Sequence, residues 1–141
     1  MRFACQTVFA IMTLGLLMNA IRADDAKKDQ EKLQGTWSVV SAEADGTATD
    51  EIKNDKLVFA GDKITIKKAG GDEEHVTFTL DTSKKPKQID INADGKMIQA
   101  IYELDGDKLK VCAAMPGADR PTDFTTKAGS NRMLVTLKRE N

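Results

Sequence analysis

The chain has 141 residues, with 21 basic and 22 acidic side chains, one histidine, two cysteines and a single tryptophan. Lysines and acids alternate without a sustained basic block, which argues against nucleic acid as a partner, because a phosphate backbone asks for clustered Lys and Arg. The one histidine, His75, has no second histidine or thiol nearby in sequence, which makes a poor zinc site where three or four ligands are usual, and no metal and no cofactor is expected.

The first segment in chain order reads as a secretory signal. Arg2 supplies the positive start, the apolar run from Val8 to Met18 follows, and Ala20 to Ala23 offer small residues for cleavage after Ala23. That run is shorter than the roughly 20 residues a membrane span needs, so no span is expected after cleavage. The expected organisation is a signal peptide over 1–23 and one exported domain over 24–141, periplasmic or extracellular. Losing Arg2 and Arg22 leaves 19 of the 21 basic residues against 22 acidic ones, a net charge of −3. Cys5 leaves with the signal, so Cys112 stands alone and no internal disulfide holds the domain. Its expected role is a small packed strand residue.

Asp24 to Gln34, "DDAKKDQEKLQ", lacks β-branched residues and is followed by Gly35, a helix stop. It predicts a short helix whose only apolar side chains are Ala26 and Leu33, hence a lid or tail and not a core element. After Gly35 the pattern changes to period two. Ile64 and Ile66 alternate with lysines and Thr65, while Val76, Phe78 and Leu80 share one face. Ile89 with Ile91, Leu109 with Val111, and Met133 with Val135 and Leu137 repeat the alternation. "MIQAIYEL", Met97 to Leu104, is apolar on both faces. Asp94-Gly95 and Asp105-Gly106 are hairpin turn signals between such runs.

The count is eight strands with short links, which favours sequential antiparallel pairing. The fold class is all-β, an eight-stranded antiparallel up-and-down barrel with a short N-terminal helix. Closure removes exposed edges, and at this size the interior is filled by side chains or holds one small ligand. A two-sheet sandwich is the alternative. Only the segment from Ala114 to Asn131 is long, and long loops in compact domains are often functional.

The motifs carry little chemistry. "DINADG", Asp90 to Gly95, opens like a calcium loop, but the position of the required glutamate is Ile101 and the flanks read as strands. His75 lies on a polar strand face, and nothing places it with Cys112 as a base–nucleophile pair. Asp62, Asp72, Asp94, Asp105 and Asp107 fall in turns, where Asp serves the backbone. Arg120, in "PGADRP", is expected to cap the loop or to pair with Asp119 or Asp123, with an anion or ligand carboxylate as the functional alternative. No catalytic set is visible, and the reading is not an enzyme.

"GTW" at Gly35 to Trp37, "IYELDGDKLKVC" at Ile101 to Cys112, and "PGADRPTDF" at Pro116 to Phe124 before a final "LKRE" occur together here. In this combination the chain resembles an uncharacterised, exported, lipocalin-like domain family common in planctomycete-type bacteria. The resemblance implies a β-barrel and brings no established activity. It is similar to true lipocalins in the Gly-x-Trp opening and the basic residue of the last strand, while lacking their disulfides. That likeness implies that Arg139, in phase with Met133, Val135 and Leu137, packs over Trp37 and closes one end with Gly35. The expected function is a non-enzymatic barrel binding a small apolar molecule at the opposite end, with Phe78, Tyr102, Arg120 and Phe124 as ligand contacts. The alternative is an envelope protein-interaction module or enzyme inhibitor acting through the 114–131 loop.

Overall fold

A computed structural model describes residues 25–140. The expected signal peptide and its cleavage point lie outside the described residues. Among those described, no helix is long and apolar enough to cross a membrane. Helix α1 covers residues 25–33. Nine strands follow: β1 (Gly35–Ala44), β2 (Thr47–Ala48), β3 (Lys56–Ala60), β4 (Lys63–Lys67), β5 (Glu73–Asp81), β6 (Lys87–Ala93), β7 (Lys96–Asp105), β8 (Lys108–Ala114) and β9 (Arg132–Arg139). From β3 onward each strand pairs antiparallel with the next, β3 also pairs with β1, and β9 returns to β1. Eight strands therefore close into a barrel, the eight that period-two alternation marks in the sequence. β2 adds a two-residue ladder at the end of β1.

Register follows the apolar rows. Phe59 faces Ile64, Ile64 faces Val76, and Leu109 faces Leu137 across neighbouring strands. All are buried in one core. β1 carries a bulge, since Val39 pairs with Leu137 while Ser41 pairs with Thr136. The extra residue, Val40, is left 44% exposed. The bulge resets the phase, so that Trp37 and Val39 point inward before it and Ala42 after it. Such a bulge sharpens the local twist that a closed sheet needs.

Helix α1 covers one end of the barrel. Of the two expected roles, lid or tail, it takes the first, but Leu33 is 1% exposed and belongs to the core, so the helix is also a core element through that one side chain. Its tie to the barrel is mainly polar. Asp29, 5% exposed, accepts hydrogen bonds from the Tyr102 hydroxyl at 2.7 Å and from Lys87 Nζ at 2.8 Å. Gln34 Oε1 accepts from the Gly61 N–H at 2.7 Å, in the β3–β4 turn.

The C-terminal carbonyls of α1 meet the pair Trp37 and Arg139. The Trp37 indole N–H donates to the Leu33 carbonyl at 2.8 Å, and Arg139 donates to the carbonyls of Gln34 (2.9 Å) and Lys32. A helix end leaves such carbonyls unpaired and carries partial negative charge, so an N–H donor and a cation suit it. The Arg139 guanidinium carbon sits 4.4 Å from the Trp37 ring centroid. Gly35 makes the turn from helix to strand at φ 117°, and a Cβ there would stand 3.4 Å from Arg139 Nη1. "GTW" is thus a helix stop, a tight turn and a buried ring in three consecutive residues.

The 115–131 segment folds back as a strap on the outer wall. Arg120 Nη2 meets Asp90 Oδ1 at 2.5 Å, and its Nη1 donates to the Ala100 carbonyl at 2.8 Å. The expected partners, Asp119 and Asp123, are not the ones used; Asp123 pairs with Arg132. Under the strap lie Ile101, Cys112 and Ala114, which point outward yet are 1%, 0% and 1% exposed. This is why β7 is apolar on both faces: one lines the barrel and the other lies under the strap.

Candidate functional site

The inward rows are graded in size. Near α1 they carry Trp37, Phe78, Tyr102 and Leu109, all buried. Toward the other end they carry Ala42, Ala93 and Ala113. Large side chains fill the helix end, and small ones leave the far end open. The result is a cavity of about 320 Å³ at the end away from α1 and the Trp37–Arg139 pair. Val39, Phe59 and Leu137 lie at its inner part; Ala93, Ile98, Ala113 and Met133 surround its mouth.

Three charged residues interrupt this apolar lining, Asp55, Lys68 and Glu74. Each is a continuation of an inward row. Asp55 extends Leu57 and Phe59 of β3, Lys68 extends Ile64 and Ile66 of β4, and Glu74 precedes Val76 and Phe78 on β5. Asp55 is 6% exposed. Its backbone carbonyl accepts from the Val39 N–H at 2.9 Å, and its Oδ1 accepts from the Ala69 N–H at 3.0 Å. Those bonds fix the carboxylate between β1 and the β4–β5 turn. Lys68 and Glu74 are exposed.

None of the four expected ligand contacts lines this cavity. Phe78 packs edge-on against Phe59, with centroids 5.5 Å apart and planes at 78°. Tyr102 is bonded to Asp29 under the helix. There, burial first and the Asp29 hydrogen bond second push its phenol pKa far upward. Arg120 and the half-buried Phe124 belong to the strap outside the barrel. The strap does not bring Arg120 to the mouth, because Asp90 faces outward on β6, whose Ile89 and Ile91 face inward.

Asp55, Lys68 and Glu74 are not among the expected site residues, yet they carry a signal in the sequence. A charge in phase with an apolar row is the rule that singles out Arg139, and it applies equally to these three. His75, by contrast, is exposed and within 3.1 Å of Thr65 Oγ1 on the outer face. Cys112 is under the strap, with its Sγ 3.8 Å from the Thr125 carbonyl, and burial raises its thiol pKa. "DINADG" forms the β6–β7 hairpin, where Asn92 Oδ1 accepts from the Gly95 N–H at 2.9 Å.

No family model matches the chain, and no curated protein matches it. Among solved structures it is similar to a point mutant of the fluorescent protein UnaG, at 16% sequence identity and a TM-score of 0.44. That match covers 79% of this chain and 98% of the other.

Proposed function

We propose that this protein is an exported, non-enzymatic barrel that binds one small, largely apolar molecule in the cavity at the open end. The observation that carries the reading is the cavity itself, about 320 Å³ and lined almost wholly by aliphatic side chains. Ligand pockets run from about 300 to 1,000 Å³, so this one suits a small ligand. A dry apolar cavity of about 150 Å³ takes up benzene, and twice that volume suits a body of two fused rings or a short aliphatic chain.

Binding would remove apolar surface from water on both partners, at about 25 cal/mol per Å². Calorimetric titration with 1-methylnaphthalene tests this directly. The expected result is saturable one-to-one binding with a negative heat-capacity change. Absence of saturable binding by small apolar probes would remove the reading. Export is supported by Arg2 and the apolar run after it, and is tested by N-terminal sequencing of protein from the cell envelope, expected to begin at Asp24.

A further inference from the structure

Resting on that reading, we infer that the ligand carries a protonated amine, or a cationic donor of similar size, and that Asp55 receives it at the cavity mouth. Asp55 is a carboxylate 6% exposed and part of the cavity lining. An ionised carboxylate accepts several hydrogen bonds through two oxygens. Oδ1 has the Ala69 N–H at 3.0 Å. Among the described residues Oδ2 has no hydrogen-bond partner, and no Lys, Arg or His forms an ion pair with Asp55. Oδ2 is thus free to accept an N–H from a ligand, and a charge-assisted hydrogen bond to a carboxylate at the edge of an apolar cavity is roughly twice as strong as a neutral one.

The neighbouring charges favour the same sign of ligand. Lys68 is the one basic residue of the cavity lining, and the ladder, in which Lys56 pairs with Lys67, places Asp55 and Lys68 next in line. Yet Lys68 makes no ion pair among the described residues, and it is exposed and solvated. Glu74, one strand further along, is opposite Ile66 and lines the same mouth. Two carboxylates therefore face one ammonium there, and the more buried of the charges is negative. An apolar amine puts its rings or chain against the aliphatic lining and its ammonium at Asp55 Oδ2. The mouth is polar on the β3–β5 side only; the β7–β9 side offers Ile98, Ala113 and Met133. A ligand with one polar end matches that asymmetry.

The test compares three probes of nearly the same shape by calorimetry at neutral pH: 1-methylnaphthalene, 1-naphthylmethylamine and 1-naphthylacetic acid. In the unaltered protein the amine is expected to bind about tenfold to a hundredfold tighter than the hydrocarbon, the range of a charge-assisted hydrogen bond. Asp55→Asn keeps an oxygen for the Ala69 N–H and removes the charge. It should leave the melting temperature unchanged and bring amine and hydrocarbon within about twofold of each other. Glu74→Gln should retain most of the preference. Amine binding no tighter than hydrocarbon binding, tighter binding of the acid, or a preference that survives in Asp55→Asn would each overturn the inference while leaving the cavity reading intact. If none of the three probes binds, the cavity reading falls and the inference with it. The probe comparison in the unaltered protein decides the matter even if Asp55→Asn fails to fold.

Discussion

Replacing Trp37 with alanine probes how the barrel end is closed. The side chain is 0% exposed, and three interactions depend on it. Truncating a buried Trp to Ala costs about 3–5 kcal/mol from lost packing and the space left behind. Its N–H bond to the Leu33 carbonyl contributes about 1 kcal/mol net. The Arg139 contact at 4.4 Å adds about 0.5–2 kcal/mol. These contributions overlap, because Arg139 and Leu33 also hold the helix, so the expected loss is about 4–5 kcal/mol and not their sum. That is a large share of the 5–15 kcal/mol typical of a domain. Trp37→Phe keeps a ring and deletes the N–H, and should cost about 1–3 kcal/mol through the unpaired carbonyl and the imperfect fit. Urea unfolding followed by far-ultraviolet circular dichroism measures both, since the alanine variant loses the only tryptophan. A loss below about 1 kcal/mol for Trp37→Ala would refute the closure argument.

Tyr102 is the only tyrosine, so its titration is readable by phenolate absorbance. Its pKa is raised by burial and by Asp29 above the ordinary value of about 10. The folded protein therefore keeps a proton that the unfolded chain releases. Its stabilising contribution is complete below about pH 10 and falls as pH rises beyond that, by up to about 1.4 kcal/mol per unit. Phenolate should appear only as the protein unfolds, and reversible ionisation near pH 10 in the folded state would contradict the buried bond. Cys112, whose thiol is held up by burial under the strap, should react with thiol reagents slowly in the native protein lacking Cys5 and quickly in urea. Equal rates in the two states would mean that the strap does not cover it.

The barrel was legible because its strands are half buried and keep strict alternation. Ile64 and Ile66, or Met133, Val135 and Leu137, show it without ambiguity. The bulge at Val40 was not, since "SVVSA" offers apolar residues in either phase and only pairing with β9 decides between them. The strap left a trace in "MIQAIYEL", whose second apolar face needed a cover, but nothing local says that Arg120 reaches Asp90, 30 positions earlier. The same holds for Asp29 and Tyr102, 73 positions apart. Aromatic residues in a barrel sequence suggest ligand contacts, yet Phe78 and Tyr102 fill the closed half. The open half is made by what is small there, Ala93 and Ala113, and absence of bulk is a weak signal in a sequence.

Filling the space at the open end tests whether it is a binding site. Ala113 faces inward at its mouth, paired with Ala100 and Met133. Ala113→Trp would place an indole in the roughly 320 Å³ of the cavity. The expected result is a folded variant with an unchanged or higher melting temperature, in which 1-methylnaphthalene binds at least about tenfold more weakly than in the unaltered protein. Undiminished binding in that folded variant would contradict it, because the probe would then occupy some other place.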